Sequence, residues 1–407
     1  MRKIKEIIRS FIPESFILRL WHFPRAYLVA LWYGFPGRRL TVIAVSGTKG
    51  KTTTAYVIAE LLRQAGHITA LMTTAAVRIG DDEKMNMYKM TSPSPWTLQK
   101  FLLEAVRKQA VYAVIEVSSH ALMQYRLAGI PIRYAVVTNL ASDHLEYHRD
   151  TREYQEIHRR LISPFLKALV INGDDPNTEL LRGKTKKEHI YTMDGEVATK
   201  LKALTLSLPG EYNFSNCLAA ASLADILQMP WSIIERTLTN PITVPGRFET
   251  IDAGNGISVI VDYAHSPESL TAFFGALRSI HKKKIISVFG ACGERDAKQR
   301  PLMGEVLDKE SSVVIITNDD PYGEDPEAIA AGLLEGIQHK VNGETLYKIL
   351  DRRAAITQAL DIAQSGDIVL ILGKGAEQFQ VFADERKPWD DRTVVREVIA
   401  RKALPVG

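Results

Sequence analysis

Val42-Ile43-Ala44-Val45-Ser46-Gly47-Thr48-Lys49-Gly50-Lys51-Thr52-Thr53-Thr54-Ala55 decides the reading of this chain. Val42, Ile43 and Val45 make a β-branched apolar run. Beyond the glycines, Tyr56, Val57, Ile58, Leu61 and Leu62 follow a helical pattern. Strand, glycine loop and helix together cradle phosphate. The glycines let backbone N–H groups face the anion, and the helix N-terminus adds partial positive charge. Lys51 can reach the β- and γ-oxygens, and Thr52 can ligate Mg²⁺. Gly47, Thr48, Lys49, Gly50, Lys51, Thr52 and Thr53 are therefore the candidate nucleotide loop. Val45 stands where the full Walker pattern has its first glycine, so this is the shortened GTxGKT form. A plain glycine turn explains the glycines but not Lys51-Thr52.

With 407 residues the chain exceeds one ordinary core, and two or three domains are expected. A hydrophobic share of 46% and a charged share of 24% are those of a globular protein. The net charge of +4 is slight for this length and argues against a nucleic-acid partner. Cys217 and Cys292 fall in different predicted domains without metal-ligand spacing, which fits packing roles in a reducing cytosol.

Residues 1–40 form an amphipathic, aromatic-rich extension of short helices. MRKIKEIIRS is basic, and FIPESFILRLWHFPRAYLVALWYGFPGRRL sets tryptophan and tyrosine between prolines. Arg19, His22, Pro24 and Arg25 interrupt any transmembrane run, and no small-residue cleavage site follows. Two readings stand: helices packed on the next domain, or a peripheral segment in a membrane interface, where Trp, Tyr, Lys and Arg favour the headgroup level. The first places the protein in the cytoplasm, the second at the inner face of the membrane.

Residues 41–245 alternate strand-like and helix-like segments. Ala113–Val117, Tyr134–Asn139 and Leu169–Asn172 are apolar runs of a buried, mostly parallel sheet, and Gly210–Met229 is a helix. Residues 246–407 form a second α/β domain with strands at Ser258–Asp262, Lys284–Phe289, Ser312–Thr317 and Asp367–Leu372. The fold class is α/β: a P-loop-type ATPase domain followed by a Rossmann-like domain. Ligands bind beyond the carboxyl ends of such strands. Glu116-Val117-Ser118-Ser119-His120 and Thr138-Asn139-Leu140-Ala141-Ser142-Asp143-His144 occupy those ends. Two acid–His groups beside Lys51-Thr52 favour Mg²⁺, whose hard oxygen preference suits Glu116.

GTKGKTTT, EVSSH, TNLASDHLEYH, GEYNFSNCLAA, VPGRFE, VDYAHSP, FGACGERDAKQRPLMGE and LILGKGAEQ then follow in order. This series resembles the Mur ligases, most closely the tripeptide-synthetase branch that adds the third residue of the peptidoglycan stem. The resemblance implies ATP-dependent amide ligation through an acyl phosphate. By it Lys51 and Thr52 hold phosphates and Mg²⁺, Glu116 binds Mg²⁺ and His144 supports a second ion. Asn216 contacts adenine, Arg247 the phosphates and Asp262 the ribose. Thr91, Ser92, Ser118, Gln124 and Arg126 hold a muramoyl-dipeptide-like acceptor, UDP- or lipid-linked. Arg295, Asp319, Asp320, Tyr322, Gly373 and Glu377 receive a free amino acid.

Three departures from the family pattern matter. Its N-terminal uridine-binding domain, roughly 90 residues, has only 40 here to correspond to it. Its carbamylated lysine aligns with His158 in YQEIHRRL, a poorer Mg²⁺ ligand. Its DNPR selector reads Asp319-Asp320-Pro321-Tyr322. Loss of the arginine and gain of Asp320 favour a distal amine over a distal carboxylate, hence lysine or another cationic amino acid instead of diaminopimelate. The alternatives are a folylpolyglutamate-synthetase-like glutamate ligase, which shares GTKGK, and a non-catalytic ATP-binding partner of another ligase.

Overall fold

The structure, a computed structural model, describes residues 14–88, 91–140, 151–281 and 283–403. The chain divides into two compact units. One runs to Leu208 and resumes over Tyr212–Ile242, and the other takes Pro209–Glu211 and everything from Thr243.

In the first unit, helix α1 (Glu14–Trp32) precedes β1 (Thr41–Ser46), and helix α2 (Lys51–Gln64) follows the glycine loop. Next come β2 (Thr69–Met72), β3 (Ala76–Ile79), β4 (Asp82–Met85), β5 (Tyr112–Val117), β6 (Ile132–Val137), β7 (Ala168–Asn172) and β8 (Glu188–Tyr191). They form one sheet in the order β4-β3-β2-β5-β1-β6-β7-β8. From β2 to β8 all neighbours are parallel, and only the β2–β3–β4 edge is antiparallel. The central strands are apolar throughout because helices cover the sheet: Val42, Ile43, Ala44 and Val45 are all fully buried. β1 lies centrally, so its carboxyl end opens between β5 and β6, where EVSSH and TNLASDH begin.

The second unit contains β9 (Glu249–Asp252), β10 (Ser258–Asp262), β11 (Ile285–Phe289), β12 (Val313–Ile316), β13 (Leu346–Lys348) and β14 (Ile368–Leu372), ordered β13-β12-β11-β14-β10-β9. Only β9 is antiparallel. A short hairpin, Phe379–Val381 with Arg386–Pro388, forms a separate two-stranded sheet. Two apolar clusters lie on opposite faces of this sheet: Ile260, Phe273 and Leu370 belong to one, Val259, Val261 and Ile356 to the other. The alternation within β10 is the period-two signature of a strand covered on both sides.

A fully buried ion pair joins the carboxyl ends of these strands to the last helix. Arg352 Nε and Nη2 donate to Asp391 Oδ1 and Oδ2 at 2.8 and 2.7 Å. Arg352 also donates to the carbonyls of Asn318 and Leu372, and Trp389 Nε1 donates to Asp391. Burial pushes the Asp391 carboxyl up, but Arg352 and Trp389 outweigh it and hold it below its ordinary value. A depressed folded-state pKa means stabilisation is complete above the unfolded carboxylate value and is lost as pH falls through the folded one. Asp391→Asn leaves the guanidinium buried without its anion, so a loss of about 3–5 kcal/mol is expected at neutral pH. Thermal melts against pH check this: the gap between variant and parent should begin to close only below about pH 4 and vanish below the folded-state value.

Candidate active site

Gly47 adopts φ 137°, where a Cβ would stand 2.3 Å from Thr138 Oγ1 and 2.8 Å from the Asn139 carbonyl. The loop can approach the end of β6 that closely only with glycine there. It is then pinned to the residues that follow β6. Thr48 N donates to Asn139 O at 2.8 Å, Lys49 N to Asn139 Oδ1 at 2.9 Å, and Thr138 Oγ1 to Lys49 O at 2.7 Å. Gly50, at φ 80°, is the cap of α2, and Lys51 Nζ donates to Thr48 O at 2.7 Å. Thr53 is buried beneath the loop.

Thr52 Oγ1 donates to Glu116 Oε2 at 3.0 Å. The same oxygen accepts from Thr74 N at 2.7 Å and Thr74 Oγ1 at 3.1 Å, and Thr74 Oγ1 lies 3.0 Å from Thr91 Oγ1. The network continues through the backbone. Ser92 Oγ donates to Glu116 O and accepts from Ser118 N. Arg126 donates to Ser92 O, and its Nε and Nη2 donate to Gln124 Oε1 at 3.0 and 2.7 Å. Burial lowers the Arg126 pKa. Ser118 itself caps the short helix Ser119–Met123. Seven sequence-predicted residues (Thr52, Thr91, Ser92, Glu116, Ser118, Gln124 and Arg126) are thus joined in one bonded network. Thr74, which carried no motif, completes it.

Two further candidates, Asn216 and His158, make contacts within the protein beside the loop. Asn216, expected at the adenine, is buried beside Gly50, where a Cβ on Gly50 would stand 2.1 Å from its Oδ1. Its Nδ2 donates to Asn213 Oδ1 and its Oδ1 accepts from Thr54. In this structure it braces the loop. His158 is fully buried with Nδ1 2.9 Å from Tyr154 O, and the Tyr154 ring lies edge-on to it at 5.1 Å. Tyr154 OH is 2.8 Å from Thr48 Oγ1, so a tyrosine separates His158 from the loop. His144 lies outside the described residues.

The second unit gathers its candidates around Lys374, a residue the sequence reading passed over although it sits within GKGAE. Its fully buried ammonium donates to Asp319 Oδ1, Asp320 Oδ1 and Glu377 Oε2 at 3.0, 2.9 and 3.0 Å. Burial pushes the Lys374 pKa down, but Asp319, Glu377 and Asp320 outweigh it and hold it well above its usual value. Glu377 is raised by burial and by the two aspartates, against the pull of Lys374. The charge reading of Asp319-Asp320 therefore needs correction: both acids share an internal counter-ion. Three carboxylates against one ammonium still leave the cluster acidic. Gly373, at φ 107°, comes close to this cluster, since a Cβ there would meet Asp319 Oδ2 at 2.8 Å. Tyr322 N donates to Val381 O, and Arg295 is exposed on the loop after β11. That loop is held to the selector by Glu324, which accepts from Glu294 N and from both terminal nitrogens of Arg300.

Asp262 accepts from Phe248 N and Ala264 N at 2.7 and 2.8 Å. Burial raises its pKa against Arg247 and these N–H groups. The Arg247 guanidinium lies 4.3 Å over the Tyr263 ring. Burial pushes the Cys217 thiol up to about 12 and Cys292 well above its ordinary value, which suits packing roles.

A strand–glycine-loop–helix centre with a following Rossmann-like unit defines a nucleotide-binding α/β protein. The sequence matches the Mur ligase middle domain over residues 45–224 and the Mur ligase, glutamate ligase domain over residues 246–375. The chain belongs to the Mur ligase family. It is similar to the UDP-N-acetylmuramoyl-L-alanyl-D-glutamate–2,6-diaminopimelate ligase of Syntrophomonas wolfei, 36% identical over 403 residues, covering 93% of this chain and 82% of that one. The ligase of the same name from Aquifex aeolicus is 37% identical, covering 90% and 79%. A solved structure of such a ligase has 32% identity and a TM-score of 0.61, covering 90% and 79%. The fold is also that of Mycobacterium tuberculosis folylpolyglutamate synthase, with a TM-score of 0.70 at 18% identity, covering 93% and 94%.

Proposed function

We propose that the protein joins a cationic amino acid, L-lysine in the first instance, to the carboxylate of a muramoyl-dipeptide-like acceptor in cytoplasmic cell-wall precursor synthesis. The carrying observation is the bonded network from Thr52 through Glu116 and Ser92 to Arg126. It ties the phosphate loop to a half-buried guanidinium suited to an acceptor carboxylate. An acceptor carboxylate oxygen attacks the γ-phosphorus of ATP, and ADP leaves. The amino acid's amine then attacks the acyl phosphate, an amide forms and phosphate departs, with one proton released.

Lys51 and the loop N–H groups hold the phosphates in this scheme. Thr52 and Glu116 offer an oxygen pair that fits Mg²⁺ and would hold it, with His144 assigned to a second ion. Bound Mg²⁺ offsets the repulsion between two anionic reactants. His158 acts through Tyr154 on the loop. In the second unit the resemblance assigns Arg247 and Asp262 to the nucleotide. Arg295, Asp319, Asp320, Tyr322, Gly373 and Glu377 receive the amino acid. The relatives are named for diaminopimelate. Tyr322 in place of the motif's arginine, beside three carboxylates that share one lysine, supports a distal amine instead.

The test is ATP-dependent phosphate release with UDP-linked and lipid-linked muramoyl-dipeptide, offered lysine, ornithine or diaminopimelate. Turnover with lysine supports the proposal, and turnover with diaminopimelate alone overturns the amino-acid assignment. Nucleotide binding without release under any pairing marks a binding protein. Tyr322→Arg should raise kcat/KM for diaminopimelate relative to lysine by on the order of tenfold, and an unchanged ratio removes Tyr322 from the selector.

A further inference from the structure

Over its described side chains, residues 20–32, helix α1 carries His22 and Arg25 as its only charged or imidazole groups. Ala26, Val29 and Ala30, at the i, i+3, i+4 spacing, are buried against the first unit. Their seat is tight: a Cβ on Gly129 would come within 2.5 Å of Ala30 Cβ. Aromatic pairs extend it, with Phe23 edge-on to Tyr125 at 5.7 Å and Tyr33 against Trp96 at 5.9 Å. At about 100° per residue the opposite side presents Leu20, Trp21, Tyr27, Leu28, Leu31 and Trp32. All six are exposed, Trp21 by 67% and Trp32 by 79%. An apolar helical face of this kind marks an interaction site.

Charge identifies the occupant. The first 40 residues hold eight Lys and Arg against two Glu, a balance of +6, while the other 367 residues carry −2. Arg25 borders the apolar face, and Arg38 and Arg39 are exposed just after the helix. No helix among the described residues is long and apolar enough to cross a membrane. Tryptophan and tyrosine flanked by arginine suit the boundary between acyl chains and headgroups. We propose that α1 docks the protein on an anionic bilayer, lying in the interface with Trp21, Leu28 and Trp32 inserted. A protein partner or a second copy would explain the apolar side but not the cationic excess of the first 40 residues, of which Arg25, Arg38 and Arg39 are exposed among the described side chains. Docking also sets the acceptor side of the unit near the headgroups: Phe23 touches Tyr125, the residue between Gln124 and Arg126. This inference stands independently of which amino acid is ligated.

Flotation of the full chain with vesicles tests it. Binding is expected to vesicles of phosphatidylglycerol and phosphatidylcholine in equal parts, weakened by high salt and weak on phosphatidylcholine alone. Brominated acyl chains should quench tryptophan fluorescence in the bound state. The double variant Trp21→Ser with Trp32→Ser should partition at least about tenfold less, with ATP affinity and melting temperature unchanged because both side chains face away from the unit. No binding of the parent to the mixed vesicles overturns the proposal, as does equal binding by the double variant. A parent that is dimeric through this face, becomes monomeric in the variant and ignores vesicles overturns it in favour of self-association.

Discussion

Lys51→Ala should lower ATP-dependent phosphate release by about 10²–10³-fold while leaving the melting temperature nearly unchanged. The expected asymmetry follows from how the loop is held. Its shape is set by backbone groups: Thr48 N and Lys49 N donate to Asn139, and Thr138 donates to Lys49 O. Gly47 and Gly50 supply the positive φ angles. None of these requires the Lys51 side chain, whose described bond goes to Thr48 O at the partly exposed mouth of the loop. What the substitution removes is a positive charge placed where phosphate charge redistributes during transfer. MgATP affinity by calorimetry should weaken less than kcat, because a transition-state interaction weighs more on rate than on ground-state binding. Activity within tenfold of the parent would overturn the role assigned to Lys51. A large fall in melting temperature would instead show the lysine to be structural.

The central strands of both sheets were legible because a strand covered on both faces must be apolar at every position, and such runs end in recognisable polar residues. The β2–β4 edge was not. Its outer strand, Asp82-Glu83-Lys84-Met85, is largely exposed and carries no apolar signal. Motif order brought Thr52, Glu116, Ser92 and Arg126 to one place, but order says nothing of which way a side chain turns. Asn216 was read from its motif as an adenine contact, and the motif did not reveal that its amide oxygen accepts from Thr54. Helix α1 stayed ambiguous for a physical reason: with apolar residues on both its seated and its exposed side, the apolar pattern does not say which side packs. Lys374 was the costliest omission. A single lysine in a glycine turn does not reveal that three acids from two loops converge on it.

That convergence gives the second large effect. Lys374→Met should destabilise the second unit by about 3–5 kcal/mol at neutral pH, because it strands three carboxylates in a buried site. For a unit of this size the melting temperature should fall by roughly 10 °C. The pH dependence distinguishes this from a simple packing defect. With the ammonium gone, Asp319, Asp320 and Glu377 repel one another, and the folded-state pKa of Glu377, already raised by burial, rises further. A carboxyl whose folded pKa lies above its unfolded value stabilises at low pH, and that stabilisation is lost as pH rises through the folded value. The variant's deficit should therefore be small near pH 5 and grow toward pH 8. A deficit independent of pH would place the loss in packing alone. Adding Glu377→Gln should recover part of the stability at pH 8 by removing one of the stranded charges. The same Glu377→Gln change in the parent should bring no such gain, since there it exchanges the charged acceptor of the Lys374 bond at 3.0 Å for a neutral one. A double-mutant cycle on melts at pH 8 reads that difference in sign directly.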